Sequence, residues 1–207
     1  MPINPNEHDV FLLRQRFRPV INQYEFHVPS NGGTELGDFV CFAEQKRFKF
    51  KEDIRFYADD SKQLEVMRLK ARQRFDPMAR YDVTSPNGER IGQIQKLFGQ
   101  SLLRSSYALY DANGNEVAQA REKNLGVALF RRAVDFIPYV DMVSDWLPIP
   151  YHFEFRAPGG VLLGTNTRQS FKLRDTYTID MSPDADHRLD RRLVLAIAVG
   201  MDALQAR

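Results

Sequence analysis

Basic residues alternate with apolar residues along one short stretch of the sequence. The basic members are Arg68, Lys70, Arg72 and Arg74, and the residues between them include Leu69 and Ala71. On a β-strand every second side chain shares a face, so these four cations would stand about 7 Å apart in a row. That spacing suits a row of phosphates, and we expect an anion-binding face there.

A second stretch shows the same alternation, with Arg47, Lys49 and Lys51 separated by Phe48 and Phe50. If the two strands are neighbours, all seven cations share one outer surface. The alternative is that these charges only keep the outer face soluble and prevent edge-to-edge pairing of sheets. Nucleic acid is not an expected partner, because Phe48 and Phe50 would point away from the cations and could not stack on bases beside them.

Residues with catalytic side chains form no recognisable set. The sequence contains no His-Glu-x-x-His, Gly-x-Ser-x-Gly or phosphate-binding Gly-x-x-x-x-Gly-Lys motif. Cys41 lies in an apolar run and is interpreted as a buried structural thiol. His152 and Glu154 would share one face of a strand but lack a third partner. We therefore expect a protein that is not an enzyme and has no cofactor.

Two acidic stretches resemble metal sites only in part. Asp111, Asn113, Asn115 and Glu122 have the spacing of a calcium loop, but Glu116 takes the place of the required glycine. A hairpin turn explains that stretch better. Asp180, Asp184, Asp186 and Asp190 fit no standard loop, and helix capping explains Asp184 and Asp186. No metal site is predicted.

The segment 124–150 combines amphipathic and aromatic residues with several prolines. Phe136, Ile137 and Trp146 lie in it, downstream of Arg131 and Arg132. Such a segment suits a membrane interface, with these three apolar residues in contact with lipid. The alternative is that it covers one end of the fold.

A repeated pattern organises most of the chain. Two apolar residues at alternate positions lead into a turn, followed by an apolar residue and a small one. The five copies are centred on Gly33, Asp59-Asp60-Ser61, Asn87-Gly88, Asn113-Gly114 and Gly159-Gly160, the second being the most degenerate. Asn-Gly and Gly-Gly supply the positive φ angles of tight hairpins, so each copy predicts a β-hairpin with one buried face.

The C-terminal sequence predicts the element that covers those faces. Residues 184–205 begin with acidic residues and continue into Leu193–Met201, which is apolar on every side. A helix that is apolar all round is buried, and nine uncharged residues are too few to cross a membrane, which needs roughly 20. We expect a β-rich (α+β) fold in which this central helix lies inside a curled sheet. A strand over Val194–Val199 is the alternative.

Length and composition favour one domain in a reducing compartment. The 207 residues contain one cysteine and no linker, with 1–19 as a lead-in. The N-terminus lacks the apolar stretch of an export signal. The net charge of +2 provides no overall attraction to polyanions, so any basic site must be local. A cytoplasmic protein is expected.

Three segments of the sequence resemble one family. They are Tyr81-Asp82-Val83 leading to Gly88-Glu89-Arg90-Ile91-Gly92, Tyr107-Ala108-Leu109-Tyr110-Asp111 leading to Gly114, and the ending 190–199. From about Tyr24 to Leu204 the chain resembles LURP-one-related proteins, grouped with phospholipid scramblases and tubby C-terminal domains. The resemblance implies a closed barrel of about twelve antiparallel strands around a hydrophobic C-terminal helix, and membrane-associated or phosphoinositide-binding roles. No functional residue is transferred.

The resulting hypothesis is a non-enzymatic module that binds anionic phospholipid headgroups, or a membrane surface at the inner face of the membrane, through the basic rows. The alternative is a scaffold or adaptor that binds another protein and has no lipid role. Lipid scrambling is a third option and the least expected.

Overall fold

A computed structural model describes residues 3–16, 21–30, 33, 35–46, 53–72, 79–97, 106–123, 152–169 and 176–205 of the chain. Within these ranges, twelve antiparallel strands follow one another around a closed barrel, and the last strand pairs with the first. The strands are β1 Val10–Arg16, β2 Ile21–Ser30, β3 Glu35–Lys46, β4 Asp53–Tyr57, β5 Glu65–Ala71, β6 Arg80–Thr84, β7 Arg90–Lys96, β8 Ser106–Tyr110, β9 Glu116–Glu122, β10 His152–Arg156, β11 Leu162–Gln169 and β12 Thr176–Asp180. A short 3-10 helix, Pro5–Glu7, precedes them, and the helix α1, Arg191–Gln205, follows.

All five repeats of the sequence are hairpins, as predicted. They form β2–β3, β4–β5, β6–β7, β8–β9 and β10–β11. Gly88 and Gly114 take φ values of +87° and +89° in their turns, a conformation that side chains disfavour. Each hairpin also shows a register shift, which helps to curl the sheet. The turn residues therefore fix where each strand reverses.

The small residue that ends several repeats has a packing role that the pattern alone does not explain. A Cβ atom at Gly92 would lie 2.5 Å from the carbonyl oxygen of Tyr110 and 3.1 Å from Leu193 of α1. A Cβ at Gly164 would collide with Met181 and with the carbonyl oxygen of Asp180. These positions stay small because a neighbouring strand and the core both approach the backbone there.

The helix lies on the inner face of the barrel. Every residue from Leu193 to Met201 is buried, and the apolar ones form one cluster with the inward side chains of the strands, such as Phe26, Phe56 and Phe155. A helix needs apolar residues on all sides only when it is enclosed on all sides. The structure thus confirms the predicted barrel with a C-terminal helix packed against it.

The helix begins later than the sequence predicted. Residues Asp184 to Asp190 are not helical and include a turn at 185–186, and α1 starts at Arg191. The residue that caps it is Asp190, whose backbone oxygen accepts from the Val194 N–H at 3.2 Å and whose side chain accepts from the Arg192 N–H at 2.9 Å. The prediction that Asp184 and Asp186 cap the helix was therefore wrong. The Asp184 carboxylate instead accepts from the Arg188 and Leu189 N–H groups, both at 3.0 Å.

Candidate anion-binding face

The outer side of β5 carries the predicted basic row. Met67, Leu69 and Ala71 are buried, whereas Lys70 and the following Arg72 are exposed and Arg68 is half-buried. The predicted alternation therefore places Arg68, Lys70 and Arg72 together on one outer face. Arg74 lies outside the described residues.

Acidic side chains from both neighbouring strands flank this row. Arg68 donates from Nε to Asp53 Oδ1 at 2.6 Å, and a second ion pair joins its Nη2 to Asp53 Oδ2. Arg72 Nε lies 2.8 Å from Asp82 Oδ2. The register sets Lys70 opposite Asp53 on β4 and opposite Asp82 on β6. The row is thus one stripe of a mixed-charge surface, which the pattern of β5 alone does not reveal.

The Arg68–Asp53 pair also shifts the acidity of both groups. The hydrogen bond from Arg68 holds the pKa of the Asp53 carboxyl below its usual range. The same hydrogen bond raises the pKa of the Arg68 guanidinium. Because the two groups meet side by side through two hydrogen bonds, a phosphate has to displace a carboxylate to engage Arg68 in the same way. Lys70 and Arg72 are the more accessible cations of the row.

The second predicted basic row, Arg47, Lys49 and Lys51, lies outside the described residues. The predicted interface residues Phe136, Ile137 and Trp146 also lie outside the described residues.

We call the outer surface of β4, β5 and β6, with Arg72 at its edge, the basic face. Its basic side chains are Arg55, Arg68, Lys70, Arg72 and Arg80. Its acidic side chains are Asp53, Glu65 and Asp82. Arg55 lies 4.0 Å from Asp53 and 3.7 Å from Glu65. With five cations against three carboxylates among the described residues, the basic face keeps a positive excess despite its ion pairs.

The His152–Glu154 pair on β10 has partners that favour a structural role. Glu154 lies 3.1 Å from Lys123 and 2.8 Å from Arg156. Burial alone would raise the pKa of Glu154, but hydrogen bonds from these two cations lower it. Burial, followed by the charge of Lys123, lowers the pKa of His152. The only described partner of His152 Nδ1 is the Thr167 hydroxyl at 3.5 Å. A carboxylate held by two cations is poorly placed to orient the imidazole for catalysis.

In the acidic turn between β8 and β9, the Asp111 carboxylate accepts hydrogen bonds from within the turn. Asp111 accepts from the Asn115 backbone N–H at 2.8 Å and from the Asn115 side chain at 3.0 Å, which holds the pKa of the Asp111 carboxyl below its usual range. Among the described residues, no group of three or more histidine, cysteine, aspartate or glutamate side chains is arranged to hold a metal.

Cys41 is buried, and burial raises the pKa of its thiol.

A fully buried arginine joins the start of α1 to the residues before β1, and the sequence pattern did not predict it. Arg191, the first residue of α1, has a side chain that is 0% exposed. It donates to Asp184 Oδ2 at 2.7 Å, to Asp9 Oδ1 at 2.6 Å and to the Leu189 carbonyl oxygen at 3.0 Å. Its backbone N–H donates to the Asn6 side chain at 2.8 Å. We call Asn6, Asp9, Asp184 and Arg191 the arginine network.

The fold defines the class of protein: a closed, twelve-stranded antiparallel barrel with a C-terminal helix packed on its inner face. The model of the LURP-one-related family matches residues 39–202, most of the chain, and the protein belongs to that family. The comparisons found no matching curated protein and no matching solved structure. In the part of the chain that the structure describes, no helix is long and apolar enough to span a bilayer.

Proposed function

We propose that this LURP-one-related protein is a non-enzymatic module that binds anionic phospholipid headgroups, or an anionic membrane surface, through its basic face. The observation that carries the proposal is the positive excess on β4–β6, where Lys70 and Arg72 remain exposed although Asp53 and Asp82 lie beside them. We also propose that the protein is related to tubby C-terminal domains and phospholipid scramblases.

Binding of this kind depends on accessible charge and needs no deep pocket. A basic residue near an anionic leaflet contributes about 1 kcal/mol, and the attraction fades within a Debye length of about 10 Å at 0.1 M salt. Lys70 is the best-placed residue, because it is exposed and a lysine ammonium is a mobile point charge that needs no fixed hydrogen-bonding geometry to contact headgroups. The protein would then act from the cytoplasm, as a peripheral protein at the inner face of the membrane, and without a cofactor.

A protein-interaction scaffold with no lipid role is the second candidate. The ion pairs of Arg68 with Asp53 and of Arg72 with Asp82 support it, because they balance the charge of the row as a solvated outer face would. Lipid scrambling is the weakest candidate.

Sedimentation with vesicles tests the proposal. We expect the wild-type protein to bind vesicles that contain anionic lipid, to ignore neutral vesicles, and to release when salt rises from about 0.1 M to about 0.5 M. Lys70→Gln should weaken binding by about fivefold, the equivalent of about 1 kcal/mol. Lys62→Gln is the matched control, since Lys62 is also exposed but lies in the β4–β5 turn and pairs with Glu44.

Two results would contradict the proposal. The first is a wild-type protein that does not sediment with anionic vesicles in either salt. The second is binding that Lys70→Gln and Lys62→Gln leave equally intact, which would favour the scaffold.

A further inference from the structure

Strand β3 has one edge along which the described strands leave it unpaired. On one side, β2 pairs with β3 over nine residue pairs and as far as Glu35. On the other side, β4 pairs with β3 only over Phe42–Glu44. Among the described residues, no backbone hydrogen bond joins residues 35–41 to the turn that follows β4. We call the β4-facing side of residues 35–41 the open edge.

The open edge begins where β4 turns away from β3. The last residue of β4 lies opposite Phe42, and the next residue, Ala58, donates its N–H to the Leu64 carbonyl oxygen at 2.8 Å. Lys62 of this turn pairs with Glu44, and its Nζ lies 5.8 Å from the centre of the Phe42 ring. The β4–β5 turn therefore contacts the paired part of β3 and does not continue β4 along the open edge.

Strand β2 holds the open edge in an extended conformation. The His27 imidazole donates from Nδ1 to the Gly37 carbonyl oxygen at 3.2 Å, and its ring meets Phe39 edge-on with the centroids 5.3 Å apart. A Cβ atom at Gly37 would lie 2.6 Å from the carbonyl oxygen of Val28, so the two strands approach closely there. Because its shape is already fixed, this edge loses little conformational entropy when another strand adds to it.

The side chains around the open edge are acidic and partly apolar. Four exposed carboxylates lie on it or in the adjoining β4–β5 turn: Glu35, Asp38, Asp59 and Asp60. Lys62, the cation of that turn, is already paired with Glu44. Only three large apolar side chains are exposed among the described residues, and two of them, Leu36 and Leu64, lie in the same two segments. These surroundings suit a ligand with both basic and apolar groups.

We infer that the open edge binds an extended peptide segment of another protein, which adds as a strand beside β3 and contains both basic and apolar residues. An unpaired strand edge pairs with an extended chain through backbone hydrogen bonds, and the side chains of the added strand supply specificity. Basic side chains pair favourably with Asp38 and Glu35 across the strands. Lipid binding is not required for this inference, because the basic face lies on β4–β6 and the open edge lies on β3.

A second copy of the chain fits the open edge less well than a basic peptide does. Two open edges that paired about a two-fold axis would bring the four carboxylates of each copy together. Like charges on adjacent strands are destabilising, whereas a basic strand neutralises the same carboxylates. The charge of the open edge therefore favours a partner of different sequence.

Selection from a displayed library of random peptides of strand length, about eight residues, tests the inference. Peptides enriched on the wild-type protein should contain lysine or arginine together with apolar residues. They should bind Asp38→Lys at least about fivefold more weakly, because the exposed carboxylate is replaced by a cation. The matched control is Glu89→Lys, which makes the same change at an exposed position of the β6–β7 turn and should leave binding unchanged. No enrichment on the wild type, enrichment of peptides without basic residues, or equal binding by the two variants would overturn the inference.

Backbone methylation separates strand pairing from simple attraction to the carboxylates. The best enriched peptide is made in two forms, N-methylated at its odd or at its even residues, so that the side chains are kept. Because alternate N–H groups of a strand point to opposite sides, only one form should lose affinity, by about tenfold or more. Hydrogen exchange of the amides in 35–41 should slow when the unmethylated peptide binds. Equal affinity of all three peptides contradicts strand addition. A wild-type dimer that slows exchange of the same amides would show that a second copy occupies the open edge, and would also overturn the inference.

Discussion

The arginine network and the basic face both pair an arginine with aspartates, in opposite surroundings. Arg191 is 0% exposed and Asp184 is 1% exposed. Arg68 and Asp53 keep 27% and 21% of their side-chain surfaces in water. The same type of ion pair is therefore buried in one region and partly exposed to solvent in the other.

This difference indicates that burial, and not the mere presence of an ion pair, determines how much each pair contributes to the free energy of unfolding. Removing one partner of a buried pair leaves an uncompensated charge in the interior, which costs about 3–5 kcal/mol. Removing one partner of a surface pair usually costs about 0–1 kcal/mol, because water and salt replace it. The arginine network should therefore contribute more to stability than the ion pairs of the basic face do.

Replacing the buried arginine should have the largest effect. Arg191→Met leaves the Asp184 carboxylate buried without its cation, so we expect a loss of about 3–5 kcal/mol in the free energy of unfolding, measured with urea. The control is Arg192→Met, whose partner Asp190 is partly exposed and whose loss should cost no more than about 1 kcal/mol. Equal losses in the two variants would show that burial does not distinguish these arginines.

The N-terminal side of the arginine network should contribute less. Asn6→Ala removes the side-chain acceptor of the Arg191 backbone N–H, and the loss of one such hydrogen bond typically costs about 1 kcal/mol. Asn6→Asp keeps an oxygen acceptor near the positive end of the helix and should retain most of the stability. Hydrogen exchange at the Arg191 amide should accelerate in Asn6→Ala alone. Unchanged hydrogen exchange at the Arg191 amide in Asn6→Ala would show that Asn6 does not protect this amide.

The surface pair should give the smallest and the most pH-dependent effect. Since Arg68 lowers the pKa of Asp53, the pair stabilises the fold at neutral pH, and this contribution is lost as the pH falls through the lowered pKa. We expect Asp53→Asn to cost at most about 1 kcal/mol at pH 7, with the difference from wild type vanishing in acid well below pH 4. A difference that persists in acid would mean that Asp53 acts by packing and not by charge.

Two local patterns were sufficient to predict most of the fold. Turn residues such as Asn113 and Gly114, flanked by alternating apolar residues, identified all five hairpins because hairpin turns need specific φ angles. An all-apolar run after a polar one predicted the enclosed helix. The start of that helix was misplaced, because Asp184 and Asp190 are the same residue type and only their contacts show which one caps it.

For the candidate site, the sequence by itself determined which side chains of β5 share a face, since side chains on a strand alternate. It could not determine what stands beside them. Asp53 and Asp82 reach Arg68 and Arg72 through the pairing of separate strands, and Asp9 reaches Arg191 across nearly the whole chain. Only the tertiary structure decided these partners, because closing the barrel sets the register between strands and brings the residues before β1 next to the start of α1.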